Sequence, residues 1–290
     1  MHHQDGFFND RQIYYQTWFP ENEPKAILLI IHGIAEHSGR YMNLVNQFVP
    51  LGYAVCGFDH PGHGKSKGTR VYVEQFEDFT ETIKTYYDMI RSWHPKLPMF
   101  LIGHSMGGLI AACYLLDHQP DFAGVVLSGP SVKVPSHISP VTIALGKILS
   151  KILPKFGIVK IIADGICRDP AVVQNYLNDP LVCTGKVTAR LGAELLKATQ
   201  RITTEAHKIN LPVLIVHGGA DKLVECVGSR SFYEKISSDI KNLKIYPELY
   251  HEVFNEPERN QVLKDVEDWI QCLLNRSDTP LIHRGNINES

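Results

Sequence analysis

Long runs of one charge are missing from this chain. Its formal net charge is -2 at pH 7 over 290 residues. No long basic run appears either, so nucleic acid is not expected as a main partner. Paired cysteine spacing is missing too. The six cysteines, Cys56, Cys113, Cys167, Cys183, Cys226 and Cys272, are scattered, with no C-x-x-C and no zinc-type Cys/His spacing. Free thiols in a reducing compartment are the expectation, and a disulfide framework is not. No apolar stretch has the roughly 20 residues that span a bilayer. The first residues, Met1-His2-His3-Gln4-Asp5, lack a charged region followed by an apolar core, so no secretory leader is expected. Internal repeats and low-complexity tracts are absent as well.

What remains is ordinary globular material, 44% hydrophobic, enough for a sizeable core. Short apolar runs alternate with helical spacing. Ala26–Ile31, Tyr53–Phe58, Met99–Ile102 and Gly124–Leu127 read as buried strands. Between them, Tyr41, Leu44, Val45 and Phe48 mark one helix, and Phe76, Phe79, Ile83, Tyr86 and Ile90 mark another. Such alternation predicts a mostly parallel wound sheet with right-handed crossovers. Ile13–Trp18 reads as an edge strand or hairpin arm.

The alternation stops at Pro130 and resumes at Pro212, with strands Val213–Val216 and Leu243–Tyr246 and a closing helix over Asn260–Leu274. Residues 131–208 show no convincing strand and read as a mainly helical inserted cap. The core is then 1–130 with 209–275, and 276–290 reads as a flexible tail.

The chemistry centres on Gly103-His104-Ser105-Met106-Gly107. An apolar strand precedes this G-x-S-x-G and helical spacing follows it, which places Ser105 at a sharp strand-to-helix bend. The bland alternative is a serine that merely caps the helix. A serine hydroxyl needs a base, and the base needs a carboxylate to hold its tautomer. In open α/β sheets reactive groups lie at the carboxyl ends of strands. That rule selects Asp221, after Val213–Val216, and His251, after Leu243–Tyr246. Asp59 and Glu225 are rival acids, and His32, His104 and His217 are rival bases. The order Ser, Asp, His is that of α/β-hydrolases. An oxyanion would take N–H groups from Met106 and Ile34. His60-Pro61-Gly62-His63 with Asp59 invites a zinc reading. No further ligand pattern supports it, so a packed loop is expected and no metal.

One cap segment is ambiguous. Val141, Leu145, Ile148, Leu149 and Ile152 share a helical face, with Lys147, Lys151 and Lys155 opposite. Such a helix either packs its apolar face inward or lies on a membrane surface.

Three runs, His32–Tyr41, Asp59–Ser66 and Gly103–Gly108, together resemble monoacylglycerol lipases of the α/β-hydrolase superfamily. The resemblance covers about residues 8 to 275. It implies Ser105 as nucleophile, Asp221 as acid, His251 as base, and Ile34 and Met106 as oxyanion donors. It also implies that Tyr176, in Asn175-Tyr176-Leu177-Asn178-Asp179-Pro180, faces the glycerol end of the substrate. The expected activity is hydrolysis of a monoacylglycerol to glycerol and fatty acid without a cofactor. Lysophospholipase, general carboxylesterase or acyltransferase activity would use the same residues. A small-molecule receptor is the alternative of another class. A cytoplasmic protein with peripheral membrane contact through the cap is the expected setting. Val224 stands where mammalian members carry a reactive cysteine, and Phe254 where they carry a second histidine.

Overall fold

The computed structural model describes residues 1–134, 136, 139–160 and 163–277. The chain opens with strands β1 (His2–Phe8), β2 (Ile13–Phe19) and β3 (Ala26–Ile31). It continues through α1 (Met42–Phe48), β4 (Tyr53–Phe58), α2 (Glu77–Trp93), β5 (Met99–His104), α3 (Met106–His118) and β6 (Gly124–Ser128). An intervening block holds α4 (Pro140–Ile152), β7 (Gly157–Lys160), α5 (Pro170–Asn178), β8 (Lys186–Thr188) and α6 (Ala189–Glu205). Then come β9 (Val213–Gly218), α7 (Cys226–Lys235), β10 (Lys241–Tyr246) and α8 (Arg259–Ser277).

Eight strands form one sheet in the order β1-β2-β4-β3-β5-β6-β9-β10. The pairs β1/β2 and β2/β4 are antiparallel, and every pair beyond β4 is parallel. The central strands are apolar throughout because both faces are covered. In β3, Ile27, Leu29 and Ile31 face the layer holding α2, α3 and α6. Ala26, Leu28 and Ile30 face the layer holding α1 and α8. This is the α/β-hydrolase architecture that the alternation and the Ser, Asp, His order predict.

Of the two readings of Ile13–Trp18 the hairpin arm holds: it lies inside the sheet, and the edge belongs to β1, whose mostly exposed polar residues hid it. One local reading changes. The block between β6 and β9 does contain strands. Gly157–Lys160 pairs antiparallel with Lys186–Thr188. Both are short, and β7 is largely exposed. Their partners are remote in sequence, so hydropathy alone carries little signal for them.

The helices of this block start where the sequence provides caps. Ser139 accepts from Thr142 N–H with Pro140 at the first turn, Asp169 accepts from Ala171 N–H ahead of Pro170, and Thr188 accepts from Leu191 N–H. While α6 packs along α3, three hydrogen bonds tie the block to loops at the carboxyl ends of the sheet strands. Cys183 N–H donates to Ala35 O (2.8 Å), Thr188 Oγ1 to Val71 O (2.7 Å), and Ile166 O accepts from Glu252 N–H (2.7 Å).

The apolar face of α4 is not packed inward. Val141, Leu145, Ile148 and Ile152 are 55–70% exposed. The helix turns Ile143 and Gly146 inward instead, over a cavity. Of the tail expected over 276–290, Arg276 and Ser277 end α8, and residues 278–290 lie outside the described residues.

Candidate active site

Ser105 sits between the last residue of β5 and the first of α3, with φ 54° and ψ -118°. A non-glycine residue pays steric strain there, and such strain clusters at functional sites. The bend is tight because its glycines allow close approach. A Cβ on Gly107 would lie 2.0 Å from Ile31 O, and one on Gly103 2.7 Å from Gly107 O. The strand end is clamped by Ser105 N–H donating to Ser128 O (2.9 Å) and Ser131 N–H donating to Ser105 O (3.1 Å). Ser105 makes no side-chain capping bond to α3 among the described residues, so the serine is not there as a helix cap.

Asp221 and His251 come together although 30 residues separate them. His251 Nδ1 is 2.7 Å from Asp221 Oδ2. Asp221 Oδ1 accepts the N–H groups of Leu223 (2.8 Å) and Val224 (3.0 Å). The carboxylate is thus a turn former and a histidine partner at once. Burial alone would raise its pKa. The charge of His251 and hydrogen bonds from His217, His251 and Val224 outweigh burial and hold it far below the carboxylate range. Burial pulls His251 down, and Asp221 more than reverses this, so the imidazole titrates above its ordinary value.

The His251 ring reaches the serine turn. A Cβ built on Gly129 would be 3.2 Å from His251 Nδ1, and Gly129 directly follows Ser128, the residue bonded to Ser105. The ring centroid of His104, the neighbour of Ser105, is 4.7 Å from that of His251. With Nδ1 held by Asp221, Nε2 is the nitrogen left to exchange a proton.

The two expected oxyanion donors border one cavity. Ile34 and Met106 both line an apolar cavity of about 310 Å³ between α4, α6 and the start of α3. A Cβ on Gly33 would lie 3.3 Å from Ser105 Cβ, which puts the Gly33-Ile34 loop beside the serine. Met106 opens α3, so its N–H lacks an intrahelical acceptor. Tyr176, on α5, is buried, and its ring lies over the Arg40 guanidinium at 4.7 Å.

The rival residues are occupied elsewhere. Asp59 Oδ1 accepts from the N–H and Oγ of Ser38, and Oδ2 from Lys65 N–H. His60 Nε2 bonds His32 O, and His60 N–H donates to His32 Nε2. His63 Nδ1 bonds Pro61 O. The Asp59–Ser38 and His60–His32 bonds fasten one loop to another, while His60 Nδ1 and His63 Nε2 stay buried without a hydrogen-bond partner among the described residues. Glu225 accepts from Ser136 and Lys133.

Sequence reasoning missed two supports. His217 Nε2 lies 3.2 Å from Asp221 Oδ2, and its Nδ1 bonds Ser229 Oγ at 2.7 Å. The rival base is in fact a brace for the acid. The second support is a buried cluster of Glu36, Arg40, Tyr41 and Glu252 beside His104. The i, i+4 spacing of Glu36 and Arg40 and the adjacency of Glu252 to His251 were the available signals.

Comparisons with known proteins show the family to which the chain belongs. The model of the family described as "Serine aminopeptidase, S33" matches residues 22–258. A monoacylglycerol lipase of Mycolicibacterium smegmatis is 39% identical over 259 residues, covering 89% of this chain and 92% of its own. A human monoglyceride lipase is 34% identical over 261 residues, covering 89% and 86%. The crystal structure of a Paleococcus ferrophilus monoacylglycerol lipase superposes with a TM-score of 0.81 at 30% identity, covering 91% of this chain and 98% of that one.

Proposed function

The chain belongs to the serine aminopeptidase S33 family of α/β-hydrolases, and from that premise we propose that it is a serine esterase cleaving monoacylglycerols to glycerol and fatty acid. The observation that carries the reading is the 2.7 Å contact between Asp221 and a His251 whose ring packs on the turn clamping Ser105.

In this reading Ser105 Oγ attacks the ester carbonyl while His251 Nε2 takes its proton. Asp221 holds the tautomer and stabilises the imidazolium. The N–H groups of Ile34 and Met106 receive the oxyanion, each worth roughly a hundred- to thousandfold in rate. His251 then gives its proton to the leaving glycerol oxygen, and water activated by the same nitrogen frees the acid from the acyl-enzyme. No step calls for a cofactor. The 310 Å³ apolar cavity supports an acyl-chain site, with Leu109, Ile143 and Leu196 in its wall. Tyr176, whose ring lies over the Arg40 guanidinium, is assigned to the glycerol end.

Residues 131–208 are assigned as the cap. Its α4 offers exposed Val141, Leu145, Ile148 and Ile152 with Lys147 and Lys151 on the same helix. The apolar face is proposed to dock on anionic lipid, with the lysines reaching headgroups from the flank of the helix, each adding about 1 kcal/mol near such a surface. Six free thiols support a cytoplasmic setting.

The test is turnover on a monoacylglycerol, a lysophosphatidylcholine and short nitrophenyl esters. The reading expects the monoacylglycerol to have the highest kcat/KM. A preference for the lysophospholipid would replace it. For docking, Lys147→Glu/Lys151→Glu protein should pellet less with anionic liposomes. Equal pelleting would remove the lysine contribution.

A further inference from the structure

The two halves of the site come from loops far apart in sequence, and a charged cluster joins them. Glu36 Oε1 accepts Gly33 N–H at 2.7 Å and Tyr41 OH at 2.8 Å. Its Oε2 accepts Arg40 Nη1 at 2.9 Å. Arg40 then spans to Glu252, Nη1 to Oε1 at 2.6 Å and Nη2 to Oε2 at 2.8 Å. Glu252 follows His251, and Asn255 Nδ2 donates to its Oε2 at 2.8 Å. Side-chain exposure is 10% for Arg40 and 6% for each glutamate.

We propose that Arg40 and Glu252 are a positioning pair that fixes the Gly33-Ile34 oxyanion loop relative to the His251 loop. The proposal rests on the esterase reading. A buried ion pair is often no more stabilising than an apolar pair of the same volume, so stability alone does not account for this one. What a two-pronged arginine–carboxylate contact adds is direction. Here that direction runs from one reacting half to the other, across 212 residues of chain.

The loop it governs is pinned on both sides of Ile34. Gly33 N–H is held by Glu36, and Ala35 O by Cys183 N–H at 2.8 Å, with Ala35 at φ 63°. Ile34, between these two fixed points, is the residue assigned to donate its N–H to the oxyanion. On the other half, Glu252 N–H is tied to Ile166 O. Arg40 closes the gap between the two. The Tyr176 ring covers its guanidinium. Burial acts against the charges, and pairing overrides it, keeping Arg40 protonated and Glu252 below the usual carboxylate range.

Glu252 also adds negative charge near His251. The groups facing that imidazole are Asp221 after β9, His104 at the end of β5, Glu36 after β3 and Glu252 itself. Asp221 dominates, and both glutamates raise the imidazole pKa further.

The experiment compares Arg40→Lys, Glu252→Gln and the double variant on a nitrophenyl ester, with kcat and KM followed against pH and folding checked by thermal unfolding. A misplacement of about 1 Å costs up to about 100-fold. Each single variant should therefore lose about 10- to 100-fold in kcat with KM changed less than about 3-fold. Arg40→Lys keeps the charge and loses the fork, so its acid limb should stay in place. Glu252→Gln removes a carboxylate, so its acid limb should move to lower pH. The double variant should be no worse than the poorer single, because the two act through one contact. Folded single variants with kcat within 3-fold of the unmutated chain overturn the pair. So do losses that multiply in the double variant. If Glu252→Gln does not fold, Arg40→Lys decides by the same kcat criterion. Fluorophosphonate labelling of the unmutated chain separates the two ideas. Its absence sinks the esterase reading and the pair together, whereas labelling with unaffected variants sinks only the pair.

Discussion

Asp221 Oδ2 lies 2.7 Å from His251 Nδ1, while Oδ1 of the same carboxylate is taken by the backbone of the following turn. One oxygen builds the loop and the other sets the histidine. Asp221→Asn should keep the turn, because the amide oxygen can still accept from Leu223 and Val224. Its NH₂ would face the imidazole and favour the wrong tautomer. A fall in kcat of about 10⁴-fold is expected, with circular dichroism unchanged. A loss under tenfold would mean that another group sets His251.

The pH dependence of turnover follows from the same contact. The base works only when neutral. Its pKa lies above the ordinary 6.5 because Asp221 outweighs burial. Plots of kcat/KM against pH should therefore rise with a midpoint above 6.5. Stability runs the other way for this group. The His251–Asp221 contribution is fully present below pH 6.5 and is lost as pH rises through the folded pKa. A midpoint below 6.5 would contradict the assignment of His251 as base.

Other histidines oppose acid. Burial lowers His32 to about 4, His104 to about 4 and His63 to about 3. These rings are neutral when folded and charge more easily when unfolded. Stability should be whole above pH 6.5 and fall as pH drops from there towards 4. Paired carboxylates such as Asp221 and Glu225 lose their contribution only below about pH 4. Urea midpoints measured every half pH unit separate the windows. A flat midpoint between pH 6.5 and 4.5 would contradict the histidine account.

The cavity wall offers a test of chain length. A Cβ at Gly146 would meet nothing within 4 Å, and Gly146 faces the cavity from α4. Gly146→Leu should fill part of it while removing a helix-interior glycine that costs about 1 kcal/mol. Each lost methylene site is worth about tenfold or more in discrimination. Long-chain esters should lose at least about tenfold in kcat/KM relative to four-carbon esters. An unchanged ratio would place the acyl chain elsewhere.

Much of the fold is legible in the sequence. Buried parallel strands are nearly continuous apolar runs, so β3, β4, β5, β6 and β9 stood out. Ser105, Asp221 and His251 followed from strand ends and chain order. What stayed hidden depends on contacts between distant residues. The β7/β8 pair is too short and too exposed for hydropathy to mark. The apolar stripe of α4 was visible, but nothing local said that it would face outward. His217 looked like a competing base, and only proximity shows it bracing Asp221. Arg40 and Glu252 could each pass for solvated charge, since 212 residues separate them.

The central claim is that Ser105 is a nucleophile, and covalent capture tests it most directly. A fluorophosphonate probe should label the unmutated chain stoichiometrically, with the adduct on the peptide containing Ser105. Ser105→Ala protein should take no label, and its esterase activity should drop by about 10⁶-fold. Labelling that persists in Ser105→Ala protein, or substantial turnover without that hydroxyl, would contradict the account.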